Sequence, residues 1–147
     1  MSWSVSNEPA PVRRARAKRA PCPLELDEQK ALFDWWKRTP YARHLVMYHI
    51  PNGGRRDKIT GARLKAEGVV AGVPDVFLAS PRQGFHGLYI EMKRQRGGTV
   101  QATQKKLIVA LRQAGYRVEV CKGWWEAWEV IENYLAGALP QASGGRA

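Results

Sequence analysis

The chain has 147 residues, room for one compact domain with tails to spare, and its 24 Lys+Arg against 13 Asp+Glu leave a net charge of +11. That excess points to a polyanionic partner. No stretch approaches the roughly 20 apolar residues of a membrane span and the N-terminus lacks an apolar signal core, so a soluble, cytoplasmic protein is expected.

Residues 1–23 hold Arg13, Arg14, Arg16, Lys18 and Arg19 among Ala, Pro and Ser, too little apolar area to offset chain entropy, and predict a disordered basic arm. The folded domain is expected over 24–136 and a loose tail over 137–147. Apolar spacing predicts a first helix from Leu26 to Arg38, stopped before Pro40, with Leu32, Trp35 and Trp36 on one side. A short strand, Leu45 to Ile50, follows. The Gly-rich basic loop "PNGGRRDK" then leads to a short helix around Ala62 to Ala66, ended by Gly68.

Two strands come next, Pro74 to Ala79 and Leu88 to Lys93, and their short connection predicts antiparallel neighbours. Leu107, Ile108, Leu111 and Ala114 lie at helical spacing in a segment from Thr99 to Ala114, with Thr99 as N-cap and Gly115 as stop. "YRVEVCK" reads as a strand. Trp124, Trp128, Ile131 and Leu135 line one stripe of a last helix, and these tryptophans are read as packing. The order is α-β-β-β-α-β-α, an α/β fold with a small mixed sheet flanked by helices. Two cysteines, with no CxxC pair, cannot build a zinc cluster, so Cys22 is expected as a free thiol in a linker and Cys121 as one in a strand.

The chemistry concentrates in "GVPDVFLASPRQGFHGLYIEMKRQRGG", Gly72 to Gly98. Strand alternation puts Tyr89, Glu91 and Lys93 on one face and Leu88, Ile90 and Met92 on the other. If Asp75 lies at the end of the neighbouring strand, its carboxylate converges on that of Glu91, and two partly buried anions repel unless a cation joins them. Two carboxylates, a divalent ion and a lysine are the groups that metal-assisted phosphodiester hydrolysis requires. His44, His49 and His86 have no metal-ligand spacing and are read as structural, His49 being the one expected nearest the site.

"GVPDVFL" followed by "YIEMK" resembles the P-D…(D/E)-x-K nuclease signature. With "ELDEQKALFDWW", "IPNGGRR", "GARLKAEGVVAGVPDVFL", "LYIEMKRQRG" and "TQKKLIVALRQAGYRVEVCKGWWEAWEVIENYL", the resemblance extends over about Glu25 to Leu135 and is to the VRR-NUC branch of that superfamily. It implies a restriction-endonuclease-like core and Mg²⁺ or Mn²⁺ held by Asp75, Glu91 and the backbone carbonyl of Met92, with Lys93 catalytic. It further implies a glutamate from the first helix, for which Glu25 is preferred and Glu28 stays open, and a glutamine matched by Gln104. Gln101 stands where relatives often have Ser, which leaves the cap of that helix open.

The basic residues Arg55, Arg56, Lys58, Arg63 and Lys65 are read as a phosphate grip, with Asn52, Gly53 and Gly54 allowing close backbone approach and Arg94 and Arg96 extending it. The expected function is a Mg²⁺- or Mn²⁺-dependent DNA endonuclease. It is expected to select branched, flap or junction DNA by shape, since the chain carries no added base-reading element. The resemblance to stand-alone members that are similar to Holliday junction resolvases implies a homodimer, and the compactness of the chain suggests a bacterial or phage-infected cell. The alternative is a non-catalytic nucleic-acid-binding module that keeps the nuclease fold.

Overall fold

The computed structural model describes residues 21–52 and 58–137, without the side chain of Lys58. Residues 1–20 of the basic arm expected over 1–23, Gly53, Gly54, Arg55 and Arg56 of the grip, and the tail from 138 onward lie outside the described residues.

Helix α1 spans Glu25–Arg38, its first turn carrying Glu25, Asp27 and Glu28 and its last Lys37 and Arg38, a charge order that complements the helix dipole. It stops two residues before Pro40, whose ring fits the first turn of a short 3-10 segment, Pro40–Arg43, that the sequence reading did not anticipate. Strand β1 (Val46–His49) follows, then α2 (Lys58–Ala66), β2 (Val76–Ala79) and β3 (Leu88–Lys93). The chain closes with α3 (Ala102–Gln113), β4 (Arg117–Lys122) and α4 (Trp124–Leu135).

The four strands form one sheet in the order β1-β2-β3-β4. β1 and β2 pair antiparallel, as do β2 and β3, while β3 and β4 are parallel. A parallel neighbour needs a crossover long enough to return the chain, and α3 supplies it. On one face Met47, Val76, Leu78, Leu88, Ile90 and Met92 meet Leu32 and Trp36 of α1 and Ala127, Ile131 and Tyr134 of α4. Each aliphatic side chain so buried contributes about 1.5–3 kcal/mol. The Tyr134 hydroxyl is satisfied by donating to the Ser80 carbonyl at 2.7 Å. α3 packs on the opposite face, over β4.

Tryptophans of α1 and α4 interlock, Trp35 meeting Trp128 edge-on at 6.1 Å, while Trp125 stays exposed. The N-cap of α3 is Gln101 rather than the expected Thr99: the Gln104 side chain turns back to accept the Gln101 backbone N–H at 2.8 Å, which starts the helix there. α2 begins before Ala62, at Lys58. Cys121 is buried in β4 and Cys22 half-buried, and neither is in a disulfide.

Candidate active site

Asp75 stands immediately before β2, at the point where three strands meet. Its carbonyl accepts the Ile50 N–H at 2.7 Å and lies 2.8 Å from His49 Nδ1, so the end of β1 fixes its backbone. Its side chain reaches the other way, Oδ2 accepting the Met92 N–H at 2.8 Å. Burial raises the Asp75 pKa above the ordinary carboxylate value, opposed by that hydrogen bond and by the positive charge of Lys93.

Glu91 projects from the middle of β3 on the face opposite Ile90 and Met92 and is only 1% exposed. Its Oε1 accepts from Lys93 Nζ at 2.6 Å and from the Gln104 amide nitrogen, while Oε2 is buried with no hydrogen-bond partner among the described residues. Burial lifts its pKa to about 7, the Lys93 bond pulling down and the Asp75 charge pushing up. Burial acts to lower the Lys93 pKa, but the hydrogen bond and charge of Glu91 outweigh it and hold the ammonium protonated.

Glu25 and Glu28 diverge. Glu25, the first residue of α1, lies 3.6 Å from Lys93 Nζ, and one oxygen from each of Glu25, Asp75 and Glu91 falls within 4.8 Å of the others. Glu28 is outside that group: its Oε1 accepts from the Gln95 amide at 2.5 Å and its Oε2 accepts the Trp124 N–H at 2.9 Å, at the N-terminus of α4. A helix N-terminus is where a buried carboxylate is best satisfied. Met92 points its side chain into the core and its N–H to Asp75.

The donor set suits a hard divalent cation. Three carboxylates are crowded together, two of them with raised pKa values, and a buried oxygen has no partner among the described residues; oxygen ligands of this kind are those Mg²⁺ and Mn²⁺ take. A cleft of about 190 Å³ opens onto Glu25, Asp75 and Gln104, with Asn52 and Gly72 at its rim. Gly72 adopts φ +88°, and a Cβ there would come within 3.0–3.1 Å of the Thr103 and Gln104 backbone. This close approach, which the sequence reading missed, docks the turn before Asp75 onto the start of α3.

The expected phosphate grip is only partly visible. Asn52 is at the cleft, its amide donating to the Val73 carbonyl at 3.0 Å. Lys65 borders a second, more apolar hollow of about 580 Å³ between α2 and Val69–Ala71, and Arg63 pairs with Glu67 at 3.1 Å. Arg94 and Arg96 are exposed just beyond Lys93, and Arg96 hydrogen-bonds Cys22. No described helix is long and apolar enough to cross a membrane.

A family model described as the VRR-NUC domain matches residues 25–125. No curated protein matches the chain. A solved "VRR_NUC domain protein" is similar at TM-score 0.68 and 29% sequence identity, covering 78% of this chain and 90% of that one.

Proposed function

The chain belongs to the VRR-NUC domain family of nucleases, and from that membership we propose that it is a metal-dependent DNA endonuclease that hydrolyses phosphodiester bonds in branched, flap or junction DNA. The observation that carries the proposal is the grouping of Glu25, Asp75 and Glu91 within 4.8 Å, with Lys93 Nζ 2.6 Å from Glu91.

Asp75 and Glu91 are the principal ligands for Mg²⁺ or Mn²⁺, with the Met92 carbonyl and Glu25 completing the protein's share. When bound, the cation supplies Lewis acidity toward the phosphodiester and lowers the pKa of water. Lys93, held protonated beside Glu91, orients the attacking water and offsets negative charge that builds on the phosphoryl oxygens. Gln104, anchored at one end by the Gln101 N–H, aims its amide at Glu91 and keeps that carboxylate turned toward the cleft.

Asn52, Lys65, Arg94 and Arg96, with Gly53, Gly54, Arg55, Arg56, Lys58 and Arg63, grip the sugar-phosphate chain without reading bases. Selectivity then comes from DNA shape, and a homodimer presents two such sites to two strands. A cytoplasmic location follows from this substrate. The test is a panel of single-stranded, duplex, flap and four-way-junction DNAs, with and without Mg²⁺ or Mn²⁺. Cation-dependent cutting that favours the branched substrates is expected; binding without cutting on every member would make the chain a non-catalytic binding module.

A further inference from the structure

The sheet face that carries Glu91 and Lys93 also carries a row of aromatic rings. Tyr48, Phe77 and Tyr89 are register partners across β1, β2 and β3. Their ring centroids are 5.7 Å apart from Tyr48 to Phe77 and 4.4 Å from Phe77 to Tyr89. Tyr116, between α3 and β4, closes the row 5.3 Å from Tyr89 and 6.0 Å from Phe77.

Phe77 follows Asp75 by two residues and Tyr89 precedes Glu91 by two, so the row lies one pleat, about 7 Å, from the carboxylates. The main core is filled from the other face by Met47, Val76, Leu78, Leu88 and Ile90. On this face Phe77, Tyr89 and Tyr116 are half-buried, while Tyr48 is 46% exposed and its neighbour Val46 62%.

We infer that this row is a stacking shelf for an unpaired nucleobase beside the scissile phosphate, an inference that rests on the nuclease reading of the adjacent cleft. A strand whose phosphate sits over Asp75 and Glu91 brings its next nucleotide within one pleat, onto the rings. Aromatic stacking accepts any base, because every base has a π-face, and the phenol hydroxyls can hydrogen-bond its edge. A base inside a duplex has both faces covered by its neighbours, so the shelf serves a flap, a fork or a splayed base. The occupant is small: four rings and Val46 fall far short of the roughly 20–30 residues a side of a stable protein interface. The net charge of +11 also favours a polyanion over a second copy of the chain.

The test is binding, in EDTA, of a 12-residue oligothymidylate and of an abasic strand of equal length. Wild-type protein should prefer the base-bearing strand by about five- to a hundred-fold, the range for stacking one base. Tyr48→Ala, at an exposed position, should bring the two affinities together without changing the salt slope, and Tyr48→Trp should keep the preference. Equal wild-type affinity for both strands, or an unchanged preference in Tyr48→Ala, overturns the shelf. So does sedimentation showing that Tyr48→Ala converts a dimer into a monomer. Cleavage of flap and four-way-junction DNA by the wild-type protein in Mn²⁺ is scored separately. Its failure would remove the nuclease reading and leave base binding standing, whereas failure of the oligonucleotide test would leave the nuclease reading intact.

Discussion

The backbone N–H of Met92 donates to Asp75 Oδ2 at 2.8 Å across a separation of 17 residues. The bond ties the acid that precedes β2 to the strand that bears Glu91 and Lys93. The carboxylate therefore has two duties, one toward the fold and one toward a cation, and they can be separated. Asp75→Asn keeps an oxygen able to accept the Met92 N–H but removes the charge. Its metal-free protein should melt at or above the wild-type temperature, because burial already disfavours the ionised form. Mn²⁺-dependent cleavage should fall by about a thousand-fold or more, given the several kcal/mol such a cation supplies. Calorimetry of both proteins with a cleavage time course checks this, and an active Asp75→Asn protein would remove Asp75 from the ligand set.

Lys93 is isolated in its effect on chemistry. Lys93→Ala should lower the cleavage rate by about 10²–10⁴-fold, the range for a positioned proton-transfer or charge-stabilising group. DNA affinity in EDTA should stay near wild type, since the grip lies elsewhere. Robust cutting by Lys93→Ala would discredit the role given to that lysine.

The raised pKa of Glu91 makes stability and cation binding depend on pH in a defined sense. In the unfolded chain this group ionises near 4.5, in the metal-free fold near 7. Between those values the folded protein binds more protons than the unfolded one, so metal-free stability falls as pH rises from about 4.5 to 7 and levels off above. Burial raises the Asp75 pKa too, which acts in the same sense. A cation requires the ionised carboxylate, so its apparent affinity should climb by about ten-fold per pH unit below 7 and flatten beyond it. Thermal melts with and without Mn²⁺ at pH 5.5 and 8 should show the larger shift at pH 8; equal shifts would mean that Glu91 does not gate the ion.

Glu25 and Glu28 should respond oppositely to mutation. Glu28→Ala strands the half-buried Trp124 N–H and removes the acceptor of the Gln95 amide, and should destabilise the fold by about 1–3 kcal/mol. Glu28→Gln, which still accepts a hydrogen bond, should cost less. Mn²⁺ affinity should hold in Glu28→Gln and drop in Glu25→Gln. Denaturant unfolding and Mn²⁺ titration calorimetry separate the two cases, and weakened Mn²⁺ binding in Glu28→Gln would return Glu28 to the metal site.

Local pattern was enough to read the three long helices, the four strands and the facing of Glu91 and Lys93. Helical and strand periodicities are properties of neighbouring side chains: Leu88, Ile90 and Met92 go to the core whatever else the chain does, and Glu91 and Lys93 must then share the other face. The P-D and E-x-K pairs and their extended context carried the family in the same way. Tertiary structure decided what lies between distant residues. Glu25 and Glu28 are alike in charge and one turn apart, and nothing local ranks them firmly; what separates them is that the N-terminus of α4 presents the Trp124 N–H to one and leaves the other beside Lys93. Gln104 could cap its helix or reach the site, and in the fold, where the start of α3 docks against Gly72, it does both. The aromatic row exists because strand register sets Tyr48, Phe77 and Tyr89 side by side. Register and docking are set by the packing of the whole domain, a many-body choice that no short stretch of sequence encodes.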